Sequence, residues 1–107
     1  MSSAADDQEE SSVGPVHASM LKKLSANFPS LTHLEVINES HKHNVPKGSE
    51  SHFKVVIVSD LFESKAIIER HRMVNSALSD ELKESIHALS IQGLSYSAYH
   101  TTLYTNY

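Results

Sequence analysis

No cysteine occurs among the 107 residues. That excludes disulfides, a thiol nucleophile and any thiolate metal ligand supplied by this chain. It agrees with a reducing compartment without requiring one. Glycine is also scarce: Gly14, Gly48 and Gly93 are the only three, too few and too scattered for a glycine-rich phosphate cradle. There is no Walker loop, no GxGxxG, no HExxH and no nucleophile elbow. Ser–His–Asp combinations can be drawn from any chain this rich in serine and histidine, and none has supporting context, so the sequence argues against an enzyme. No apolar run approaches the length that spans a bilayer. The first residues carry neither an Arg-rich amphipathic stretch nor an apolar core, so no targeting segment is expected within the sequence.

An excess of positive charge is missing too. The net charge is −4, from 13 acidic and 9 basic residues. Asp6, Asp7, Glu9 and Glu10 lie in the first twelve residues with no Lys or Arg among them, and the rest of the chain is close to neutral. A neutral domain with an acidic tail is poorly equipped to grip a phosphate backbone.

The length is that of one domain. Residues 1–14 are Ser, Ala and acid, and read as a disordered acidic tail; residues 15–107 read as the folded domain. Pro15 suits a first helical turn. From Val16 to Phe28, Met20, Leu21, Leu24 and Phe28 recur at helical spacing, with Lys22 and Lys23 turned outward. Pro29 and Ser30 end that helix. Leu31 to Asn38 is rich in strand formers. Glu39 to Ser51, with Pro46 and Gly48, is a long polar connection that excludes regular structure. His52 to Ser59 is the clearest strand: Phe53, Val55 and Ile57 share one face, Val56 and Val58 the other, which predicts a central strand.

After a turn at Asp60 to Ser64, Ala66 to Leu78 reads as a helix with Ile67, Ile68, His71, Val74, Ala77 and Leu78 as its apolar stripe. Ser79 is expected to cap a short following helix, with Asp80 and Glu81 in its first turn. Ile86 to Ile91 reads as a third strand. Ser95 is expected to cap a last helix bearing Tyr96, Tyr99, Leu103 and Tyr104. The order α-β-β-α-β-α predicts an α+β fold. The first two strands should pair antiparallel and the last two parallel through a helical crossover, giving a three-stranded mixed sheet.

Histidine is the abundant chemistry, with eight in the chain. His41 and His43 lie in the long loop, and solvated loop histidines are their simplest reading. His87 falls at the start of the third strand, in parity with Leu89 and Ile91, which suggests a half-buried ring. His71 on the helix stripe reads as a packed, hydrogen-bonded histidine, with Arg70 and Arg72 pointing more to solvent. A structural zinc site needs about four ligands and is usually closed by cysteine, so a closed site here would need several histidines to converge. A nucleic-acid reading meets a further obstacle. The order of elements is that of a KH module, which clamps backbone with a GXXG loop, but the loop before the middle helix, Asp60-Leu61-Phe62-Glu63-Ser64-Lys65, has no glycine and carries acids.

Two stretches together, NESHKHNVPKGSESHFKVVIVSDLF from Asn38 to Phe62 and ERHRMVNSALSDELKESIHALSI from Glu69 to Ile91, resemble the BolA family. The resemblance runs from about Val16 to Tyr99, and the long loop is most similar to the BolA1-like branch, associated with mitochondria in animals. It implies the class II KH-like BolA fold and a monothiol glutaredoxin partner carrying a CGFS motif. It also implies two cluster-binding positions, matched here by His43 in the loop and His87 before the last strand. Arg70, His71 and Arg72 match a signature segment near the partner-facing surface, in which His71 is more structural. Bacterial members are also described as transcriptional regulators.

Two positions depart from the family pattern. Phe62-Glu63-Ser64 stands where F-x-G is common, which would alter the turn, and Tyr99 stands where the last helix often has a packing tryptophan.

A [2Fe–2S] cluster needs about four ligands, usually thiolates. A chain without thiolate cannot hold one alone with ordinary ligands. One glutaredoxin cysteine and one glutathione can supply two, and two imidazoles can complete the set. The resemblance therefore implies a non-enzymatic adaptor in iron–sulfur cluster assembly, transfer or sensing. It would be monomeric alone and heterodimeric with its partner, in mitochondria in preference to the cytoplasm. The long loop is expected to swing His43 toward His87 only when partner and metal are present. The alternative is a nucleic-acid-binding regulator using the KH-like face.

Overall fold

The structure, a computed structural model, describes residues 14–105. The acidic tail before Gly14 and the side chains of Leu103 and Tyr104 lie outside the described residues. The α-helices are α1 (Pro15–Asn27), α2 (Ile67–Ala77), α3 (Ser79–Glu84) and α4 (Tyr96–Thr105). The strands are β1 (Leu31–Asn38), β2 (His52–Ser59) and β3 (Ala88–Leu94). The sheet order is β1-β2-β3, with β1 antiparallel and β3 parallel to β2. The mixed sheet and the α+β class are therefore those expected. No helix among the described residues is long and apolar enough to cross a membrane.

The two-residue period of β2 decides the layering. Phe53, Val55 and Ile57 are buried on one face, paired with Val36 and Leu34 of β1 and with Leu89 and Ile91 of β3. Met20 and Leu24 of α1 with Phe28 at its C-cap, spaced four apart, and Val74 of α2 with Leu78 at its C-cap complete this core. On the opposite face α4 packs over the end of the sheet near Val58, where Tyr99 stacks on His33 with ring centroids 5.8 Å apart. Ser95 caps α4 as expected, its hydroxyl accepting the Ala98 N–H at 3.3 Å.

Several local expectations are corrected. Ile67 and Ile68 are 67% and 57% exposed, because the inward line of α2 runs Arg70–Val74 and on to Leu78 at its C-terminal end. Arg70 does not point to solvent: its guanidinium donates from Nε to the Lys65 carbonyl and from Nη1 to the Gly93 carbonyl, both at 3.0 Å, over the Phe62 ring. Leu78, not Ser79, precedes the first residue of α3 and gives it no side-chain cap. Lys23 turns toward α3 and pairs with Glu81 at 2.9 Å and Asp80 at 3.2 Å.

β3 begins at Ala88, because Ser85 and Ile86 still donate their N–H groups to the Glu81 carbonyl at the end of α3. The turn after β2 keeps a glycine-like geometry without glycine: Ser64 sits at φ +65°, in the left-handed region that is costly for a residue with a Cβ.

Candidate functional site

The end of the sheet where β2 and β3 begin is built by the long loop. Ser51 is the hinge. Its carbonyl accepts the N–H groups of His87 at 2.7 Å and Ala88 at 3.2 Å. This places the residue before β3 beside the first residue of β2. Ile86 is buried just before it, anchoring the backbone while His87 itself is exposed. The half-buried position suggested by its parity with Leu89 is not the one it takes.

The loop is more ordered than its composition suggests. Residues Ser40–Lys42 form a 3-10 turn. The Asn38 side chain accepts the Ser40 N–H at 2.9 Å and donates to the Ser49 carbonyl at 3.0 Å. Pro46 accepts the Ser49 N–H at 3.1 Å across a turn in which Gly48 adopts φ +86°, where a residue with Cβ is strained. The returning chain is then tied to α1. The Glu50 carboxylate accepts the N–H groups of Val16 at 3.3 Å and His17 at 2.9 Å, donors that a helix N-terminus leaves unsatisfied.

This folding lays three imidazoles together. His43 stacks on His52 with centroids 3.8 Å apart and planes 17° apart. His52 and His87 are also near parallel, at 6.5 Å and 14°. His43 thus packs against His52 in the chain by itself. The loop's hydrogen bonds supply that order. A hollow of about 320 Å³ lies beside the group, lined by Val45, Pro46, Ser49, Ser51, His52 and His87. His41 is exposed and, with His43, lines a second hollow over the loop; its ring is not part of the His43–His52–His87 stack.

His52 is the member that sequence reasoning missed. Its parity with Lys54 and Val56 placed it on the second face of β2, and nothing in the period flagged it. The parallel register that pairs His52 with Ala88, next to His87, is the informative signal, and it requires the tertiary structure. Ser51 Oγ lies 2.8 Å from His52 Nδ1, which fixes the ring and leaves Nε2 for another partner. Partial burial foremost, then the neighbouring His43 and His87, lower the His52 pKa below its ordinary 6.5.

Among the described residues no group of three or more His, Cys, Asp or Glu is arranged to hold a metal ion by itself. Arg70, His71 and Arg72 are not brought to this end. Arg70 bonds Gly93, which is about 20 Å along an extended strand from His87 at ~3.3 Å per residue. His71 is half-buried and Arg72 exposed on the same helix.

The comparisons with known proteins agree with this architecture. A family model described as BolA-like protein matches residues 24–97. A BolA-like protein of Caenorhabditis elegans is 54% identical over 83 residues, covering 78% of this chain and 76% of that protein. The DNA-binding transcriptional regulator BolA of Escherichia coli is 53% identical over 70 residues, covering 65% of this chain and 66% of that protein. Among solved structures, BolA1 from Mus musculus matches with a TM-score of 0.77 and 42% identity, over 85% of this chain and 73% of that chain. On the match of the family model and the identity to these relatives, the chain belongs to the BolA family.

Proposed function

We propose that this chain is a non-enzymatic adaptor that binds a CGFS monothiol glutaredoxin and shares a [2Fe–2S] cluster with it through His43 and His87. The observation that carries the reading is the gathering of sequence-distant histidines at one accessible end of the sheet. The donor chemistry fits. Imidazole nitrogen is an established alternative to thiolate on one iron of a [2Fe–2S] centre and makes the cluster less negative. The sulfur donors this chain lacks would come from the glutaredoxin cysteine and glutathione. His52 supports the pair by packing against His43 and lying near parallel to His87. Arg70, His71 and Arg72 would lie toward the other end of the partner's footprint, with Arg72 the exposed charge.

The test is visible circular dichroism of cluster-loaded glutaredoxin mixed with wild type, His43→Ala, His87→Ala and His41→Ala. A changed spectrum is expected with wild type and with His41→Ala, loss of that change with His87→Ala, and weakening with His43→Ala. An unchanged spectrum with wild type overturns the proposal.

A second reading, a nucleic-acid-binding regulator, is favoured by the name of the Escherichia coli relative. The −4 net charge and the acidic loop before α2 oppose it. Steeply salt-dependent binding to duplex DNA would establish it in place of the adaptor.

A further inference from the structure

One residue of the loop touches the backbone of two of the three stacked histidines. Ser40 is 3% exposed. Its carbonyl accepts the His43 N–H at 2.9 Å. Its hydroxyl oxygen accepts two more N–H groups, from Ser51 at 3.0 Å and His52 at 3.1 Å. Its own N–H is held by the Asn38 side chain. The same serine therefore sets the chain direction at His43, at His52 and at Ser51, whose carbonyl in turn holds His87.

We propose that Ser40 is the positioning residue of the imidazole group, fixing His43 over His52 through its carbonyl and hydroxyl oxygens. A hydroxyl at this point is chemically specific. It offers two acceptor lone pairs on a short stem, and serine suits a turn that bonds nearby backbone. Alanine would leave two N–H groups at the β2 entry without acceptors, which costs more than the bonds were worth in water. The loop would then be free to find other partners for them, and the face-to-face contact of the rings would go. Ser40 is inward-facing and buried, so its hydroxyl acts through the loop backbone. Its effect on cluster sharing rests on the function proposed above; its effect on the rings does not.

The experiment separates the two. In the isolated full-length chain, nuclear Overhauser contacts between the ring protons of His43 and His52 are expected for wild type and lost in Ser40→Ala. Val74→Ala, a core truncation remote from the loop, serves as the control, with urea midpoints recorded for both variants. The ring contacts should survive Val74→Ala even if it is the less stable variant. Asn38→Ala, which removes the acceptor of the Ser40 N–H, should weaken the same contacts and decides the matter if Ser40→Ala does not fold.

Persistence of the ring contacts in Ser40→Ala, or their loss in Val74→Ala, overturns the proposal. With cluster-loaded glutaredoxin, Ser40→Ala should then need about tenfold more chain for the same dichroism change, the size of losing one to two hydrogen bonds. If wild type gives no dichroism change, the cluster reading fails while the ring contacts still decide the role of Ser40.

Discussion

The two ends of the sheet are stabilised in opposite ways. At the end where β2 and β3 begin, hydrogen-bond acceptors, the Ser40 hydroxyl and the Glu50 carboxylate among them, hold a polar loop in place, and His43 and His87 are left exposed. At the other end a charged side chain is turned inward. Arg70 ties the Lys65 and Gly93 carbonyls together over Phe62, and the neighbouring turn accepts a left-handed serine. Side chains such as His87 are thus free to meet a partner because the backbone beneath them is already satisfied. Arg70 has two of its donors committed to the fold.

The largest stability change should come from breaking the far end. Arg70→Ala removes two hydrogen bonds and the packing of its stem, and a loss of about 2 kcal/mol is expected by urea denaturation. The rings of His43 and His52 should keep their nuclear Overhauser contacts. An unchanged midpoint would show that the guanidinium is not a staple.

A smaller effect belongs to the histidine end. The buried Glu81 carboxylate accepts hydrogen bonds from Ser19 and Lys23, and its carbonyl ends α3 just before His87. Burial alone would raise its pKa. The hydrogen bonds from Ser19, Lys23 and its own backbone, with the Lys23 charge, outweigh that and bring it below the ordinary 4.5. A carboxylate with a lowered folded-state pKa contributes stability above the unfolded value and loses it as pH falls through the folded value. Glu81→Gln is expected to cost about 1–2 kcal/mol at neutral pH. The gap from wild type should narrow below about pH 4, as measured by denaturation midpoints across pH. A gap that stays constant on acidification would remove the ionised carboxylate from the account.

The smallest effect has the opposite sign. Ser64→Gly should raise stability by about 0.5–1 kcal/mol, the left-handed penalty less the entropy glycine adds to the unfolded chain. A destabilised Gly variant would mean that the serine side chain compensates for its backbone.

The sequence by itself determined the order of elements, the central place of β2, the four-residue spacing of Met20, Leu24 and Phe28, and the family. These depend on short-range periodicity and on paired motifs, both of which survive without knowledge of the fold. The capping role of Ser95 was legible for the same reason. Only the tertiary structure decided that His52 joins His43 and His87, that Arg70 faces inward while Ile67 and Ile68 face water, and that Ser40 is the hub of the loop. Each depends on which distant backbone group lies opposite an element's end and where a strand register begins. Helical and strand periods carry no information about such pairings, because they are set by how the chain returns on itself.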